Sequence, residues 1–274
     1  MTGSTQGPAG AARTAAPTEG ATDAPSVGTV FGTELLRARR GFPLWFSIGL
    51  PTALILPLGL VSAFAPEARE NAVWEIWLRV VLMFWGILLP MGAALYAGVS
   101  VRQDDDARRL LYSYAFPRGR LLLGKYLALA TLGLLSSLLL VVLLTGLALG
   151  FGELDTMARV VMGSLLPWAA GLGTLALCLV IAHAWGFTAT MCTGVAGMMF
   201  GALLADKVVW WLIPLAWPMR MVVPIAGVEA SGVPLPDTHP LHDMTVVPIG
   251  IGLSLTLAVV LLAVGARHVK RKEL

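Results

Sequence analysis

Charge is what this sequence has least of. Asp, Glu, Lys and Arg make up 13% of its 274 residues, where a soluble domain carries about 25%. With long apolar runs beside it, that deficit excludes an ordinary soluble globule and points to a polytopic membrane protein. The length suits one helical bundle and leaves no room for a separate soluble enzyme domain. Cysteine is scarce too. Cys178 and Cys192 both fall in apolar runs, where they behave as small apolar side chains, so no disulfide framework is expected. No signal peptide is evident, because the first apolar run starts after Arg40. No fixed-period repeat is found. A basic balance, with pI near 9.1, would ordinarily raise nucleic-acid binding, but the basic residues sit at the ends of apolar runs, as membrane topology requires. No nucleic-acid partner is expected.

The apolar runs lie between charges. A charge at the bilayer centre costs about 2.5–3.5 kcal/mol, and a span needs about 20 residues. Uncharged stretches of 26, 22, 27, 46 and 23 residues separate Arg40 from Glu67, Arg79 from Arg102, Lys125 from Glu153, Arg159 from Asp206 and Asp243 from Arg267. The 46-residue stretch holds two spans, turned at HAWGF, His183–Phe187. The chain is therefore expected to be an all-α membrane protein with six transmembrane helices, near 44–64, 77–99, 126–149, 161–181, 188–204 and 246–264. Residues 1–30, rich in Gly, Ala, Pro, Thr and Ser, read as a disordered cytoplasmic tail. FGTELLRARR, Phe31–Arg40, reads as an amphipathic helix in the interface. Residues 31–274 form one domain.

The segment 206–245 is apolar in part, yet Pro214, Pro218 and Pro224 each remove a backbone donor, and Arg220 would fall well inside a seventh span. It reads as a re-entrant or interfacial hairpin on the outer face, tolerated at depth where protein or water covers it. Six spans then place thirteen basic residues of the span ends inside and five outside. That bias puts both termini in the cytoplasm of a bacterial plasma membrane protein. Trp74, Trp77, Trp185, Trp210, Trp211 and Trp217 fall near span ends, as an aromatic belt does. Gly146–Gly150 and Gly197–Gly201 are GxxxG pairs that permit close helix approach.

The charge-dense loop 101–125, VRQDDDARRLLYSYAFPRGRLLLGK, carries most of the functional signal. Asp104, Asp105 and Asp106 can cap a short helix over about 107–116, ended by Pro117. Leu110, Leu111, Tyr114 and Phe116 then form an apolar patch rimmed by charge, which marks a protein contact or a helix resting on lipid headgroups.

The order of these features resembles the type-2 ABC exporter permeases. The shared features are the ELLRARR helix, six spans, the acidic then arginine-rich loop with its proline, the outer re-entrant segment and the basic C-terminus. The resemblance runs from Phe31 to the end. It is nearest to the lantibiotic-immunity permeases, through chain size and the W-x-x-P-x-x-x-P-x-R stretch Trp211–Arg220. Aspartates stand where that family commonly has glutamates, and the tail has no counterpart. The resemblance implies a permease subunit without cofactor or catalytic residue, driven by a separate ATP-binding subunit and paired with a second permease copy or a related chain. It implies expulsion of an amphipathic, lantibiotic-like peptide from the bilayer. It also implies an ATPase-docking surface of Glu34, Arg37, Asp104, Asp105, Asp106, Arg108, Arg109, Tyr112, Tyr114, Pro117, Arg118 and Arg120. Outer gate candidates are Glu75, Arg79, Trp211, Pro214, Pro218 and Arg220.

Other readings compete. The loop could recruit a soluble partner to a scaffold or sensor that transports nothing. GRLLLGKY, Gly119–Tyr126, nearly matches a phosphate loop, but Tyr126 lacks the small hydroxyl and the segment enters a span; Lys125 is expected to snorkel to the interface. His239, His242 and Asp243, with Asp237 nearby, suggest metal ligands, but a wet proline-rich loop is the favoured reading and no metal is expected. Glu75 and Arg79, four apart, are expected to pair locally. Spans three to six have no acid between their ends, which argues against proton coupling. Ser136, Ser137 and Ser164 have no histidine at matching depth, which argues against an intramembrane hydrolase.

Overall fold

The computed structural model describes residues 26–64, 73–111, 118–236 and 238–271, without side chains at 58, 61–63, 105–111, 118 and 268–271. The described residues form seven α-helices: α1 Val27–Arg39, α2 Phe42–Phe64, α3 Val73–Leu111, α4 Arg118–Phe151, α5 Met157–Leu204, α6 Trp217–Ala226 and α7 Val246–Arg271. Short 3-10 segments join them, and the described residues contain one isolated β-bridge, Val228–Pro234. Four helices, α3, α4, α5 and α7, include stretches long and apolar enough to cross a membrane. Among the described residues the fold is all-helical, and the length and composition of these four helices are those of a membrane protein.

Helix α5 has 48 residues, about 72 Å at 1.5 Å per residue, against a hydrocarbon core of about 30 Å. It is not one rod. Gly186, at φ 82° and ψ −170°, breaks the helical backbone in a region that is essentially glycine-only. Contacts with α3 show the reversal. Before Gly186, Arg159 meets Glu75 and the Ser164 carbonyl meets Trp85, so this half runs parallel to α3. After it, Gly194 packs on Ala94, Gly197 on Pro90 and Gly201 near Ile87, so this half runs back. The turn lies inside HAWGF, where the sequence points to it.

Helix α3 differs from expectation. In place of a break after residue 99 and a new helix near 107, it continues unbroken to Leu111. Asp104–Asp106 therefore lie inside a helix and do not cap one. After Gly98 the stretch has no glycine or proline, and Asp104–Arg108 and Asp105–Arg109 stand at the four-residue spacing that favours helix.

Helix α6 is buried along its whole length, 217–226, against α3 and α5. Pro214 starts the preceding 3-10 turn and Pro218 lies in the first turn of α6, whereas Pro224 lies inside the helix; Gly227 at φ 62° ends it in a left-handed cap. Gly86 makes room for it, since a Cβ there would meet Val222 at 2.8 Å and the Met219 backbone at 3.0 Å. One core gathers Trp85, Leu82 and Leu144 around α6; a second gathers Tyr96, Leu129 and Leu179 nearer α1.

Candidate functional site: a charged joint between α1, α3 and α4

Lys125 has no exposed surface. Its Nζ lies 3.1 Å from Glu34 Oε2, 2.9 Å from Asp104 Oδ2 and 2.8 Å from Ser100 Oγ. Asp104 receives a second cation, with Arg37 Nη1 at 2.5 Å from Oδ1. Four charges and a hydroxyl from three helices thus form one joint. Lys125 does not snorkel, and the cause is its neighbour. A Cβ on Gly124 would meet Val30 Cγ1 at 2.6 Å, so only glycine lets α1 lie on α4 closely enough to roof the lysine. The glycine of the near-match phosphate loop is a packing glycine.

The joint unites three of the residues expected at a docking surface, Glu34, Arg37 and Asp104, and adds Lys125 and Ser100. Sequence spacing gave no signal for Ser100. Asp105, Asp106, Arg108 and Arg109 belong to the last turns of α3, but their side chains lie outside the description, as does that of Arg118, the first residue of α4. Tyr112, Tyr114 and Pro117 lie outside the described residues. Arg120 is exposed on the first turn of α4. Arg102 sets its guanidinium 5.5 Å from the Phe187 ring, which places the α5 turn at this same end of α3.

The opposite end of α3 carries a second charge cluster. Glu75 is held by Arg159 of α5 through two hydrogen bonds, Nη1 to Oε2 at 2.9 Å and Nη2 to Oε1. The expected local pair with Arg79 is also present, as a longer contact of Nε with Oε2 at 3.7 Å. A guanidinium presenting two parallel donors is the stronger match for a carboxylate, and Arg159 reaches that geometry where Arg79 does not. Trp74, beside Glu75, is buried and donates to Thr156 Oγ1 at 3.2 Å.

The remaining gate candidates gather around α6. The Trp211 carbonyl accepts from Trp217 Nε1 at 3.2 Å, and the Pro214 carbonyl accepts from Thr174 Oγ1 at 2.8 Å. Arg220 is 5% exposed, with its guanidinium 5.6 Å from the Trp210 ring and its Nε and Nη1 without hydrogen-bond partners. Trp74 and Trp217 are core residues here; Trp185 and Trp211 are exposed, as a belt residue is.

Ser137 and Ser164 donate to carbonyls of their own helices, of Gly133 and Val160. His239 Nδ1 accepts from the Leu241 amide. Asp243 is held below the usual carboxylate range by the Thr245 hydroxyl and amide. Both side chains thus serve local turns, and the described residues contain no cluster of three or more His, Cys, Asp or Glu suited to a metal. Comparison with family models, curated proteins and solved structures returns no match.

Proposed function

We propose that this chain is the membrane-spanning permease subunit of an ATP-driven exporter. Counting the two halves of α5 separately, and adding α2, the reading has six spans, with α6 and its flanking 3-10 turns as the re-entrant segment. Both termini and the charged joint face the cytoplasm of a bacterial plasma membrane. The observation that carries the proposal is the joint itself. Glu34, Arg37, Asp104 and Lys125 tie the interfacial α1 to the protruding end of α3 and to the start of α4. Force applied to residues 101–125 by a soluble ATPase would therefore reach α1, α3 and α4 together. With 39 residues, α3 is about 58 Å long, roughly twice the hydrocarbon thickness, which leaves its charged end to meet a partner.

ATP-driven closure of a partner dimer would favour one of two bundle arrangements, and the shift is limited by the partner's differential affinity for them. The cargo of this reading is an amphipathic, lantibiotic-like peptide leaving the bilayer, through a path shared with a second permease copy or a related chain.

The test is a detergent pull-down of the tagged chain from its own cells, beside an Arg108→Glu/Arg109→Glu/Tyr114→Ala variant, with partners identified by mass spectrometry. An ATP-binding subunit held by the wild type and lost from the variant is the expected result. No ATPase with either form would sink the permease reading.

A further inference from the structure

Helices α2, α3, α5 and α4 stand in a ring. α2 packs on α3 and α4, and α5 packs on the same two from the other side. Inside the ring lies a half-open cavity of about 40 Å³. Aromatic side chains frame it, Phe46, Trp85, Tyr96 and Trp168, and Gly92 and Gly133 among its small residues leave the space unfilled. The wall is almost wholly apolar. Its polar groups are few: Tyr96 meets Ser47 Oγ at 2.6 Å, Trp168 Nε1 donates to the Ala130 carbonyl, and Ser136 Oγ is buried without a hydrogen-bond partner.

Shape narrows the choice of occupant. On α3 the lining runs from Trp85 to Tyr96, about 16 Å along the helix axis at 1.5 Å per residue. A small volume bordered over that length is a slot, with too little room for a folded peptide. A single water needs about 10–15 Å³ and two to four polar partners; the slot has the room but offers one uncommitted hydroxyl, that of Ser136. It also runs along helices that cross the bilayer, parallel to the surrounding lipid tails.

We infer that this slot binds one saturated alkyl chain of a membrane amphiphile. The inference needs the membrane assignment alone and stands whether or not an ATPase partner is found. Free fatty acid and one tail of a phospholipid offer the same chemistry.

The full chain, purified in detergent and stripped of lipid, is titrated with stearic acid and, separately, with a two-tailed phosphatidylglycerol, and bound species are counted by native mass spectrometry. Saturation at one ligand per chain with stearic acid alone identifies a free chain. Saturation with both probes identifies a phospholipid tail as an equally good source. Gly92→Leu, whose Cβ would sit 3.5 Å from the Phe46 ring and extend into the slot, should weaken binding at least tenfold. Gly252→Leu, which faces open space, should leave it unchanged. Binding that never saturates, or that is equal in the wild type and a folded Gly92→Leu chain, overturns the inference. Should Gly92→Leu fail to fold, photolysis of a mid-chain diazirine stearate on the wild type decides. Labels on Trp85, Leu89 or Leu172 support the slot; labels confined to exposed Leu135 and Val142 refute it.

Discussion

A lysine with no exposed surface needs protein partners for its three donors, and Lys125 has them in Glu34, Ser100 and Asp104. Removing one member of a buried ion network leaves the others desolvated and uncompensated, at about 3–5 kcal/mol. Lys125→Met should therefore lower stability by roughly 3 kcal/mol, since Asp104 keeps Arg37 while Glu34 loses its cation. Adding Glu34→Gln should return part of the loss, because the stranded carboxylate goes with it. Thermal unfolding of the single and double variants in one detergent measures both steps; a double variant less stable than Lys125→Met would contradict the account. The individual charges were legible as a group near the 101–125 loop. Their pairing was not, because Glu34 and Lys125 are 91 residues apart, and nothing local to Gly124 says that α1 lies on it. Arg159 was likewise invisible as the partner of Glu75, since a residue four positions away satisfies every local rule for ion pairing.

At the level of helices, two glycine pairs of one motif behave differently. A Cβ on Gly197 would come within 2.5 Å of Pro90 Cβ, whereas Gly146 and Gly150 have nothing within 4 Å. Gly197→Val should cost about 1–3 kcal/mol through overpacking of α3 against α5, while Gly146→Val should stay within about 0.5 kcal/mol of the wild type. Comparing their thermal midpoints tests this, and equal midpoints would mean that the α3–α5 contact yields easily. The motif is the same in both pairs; the neighbour decides its use. Gly186 was readable in advance, because a long uncharged stretch has to turn and glycine accepts the required backbone. The continuity of α3 was not. Three aspartates before an Arg-Leu-Leu run satisfy the rules for a helix start as well as those for a helix interior, and the structure uses the second. Trp74 and Trp217 also departed from the interfacial role of tryptophan, each being buried with its N–H donated to an oxygen, Thr156 Oγ1 and the Trp211 carbonyl.

For the whole molecule, the decisive question is on which side each turn emerges. In the six-span reading, the α5 turn lies on the side of the charged joint and the 3-10 segment Val208–Leu212 on the other. Trp185 and Val208 are both well exposed, at 72% and 89%. On a chain whose own cysteines are replaced (Cys178→Ser/Cys192→Ser), Trp185→Cys should react with an impermeant maleimide from the cytoplasmic side only and Val208→Cys from the outside only. Labelling of both from one side would remove the span between them. The apolar character of the chain and the positions of its four helices able to cross a membrane were legible in composition and spacing. The cost of a charge in hydrocarbon adds up residue by residue, so it can be read along the chain without knowing what any residue touches. The burial of α6, the roofing of Lys125, the Glu75–Arg159 pair and the slot between α2, α3, α4 and α5 required the packed molecule. Each depends on side chains brought together from distant helices, and the shape of that contact is a property of the whole bundle that no local stretch encodes.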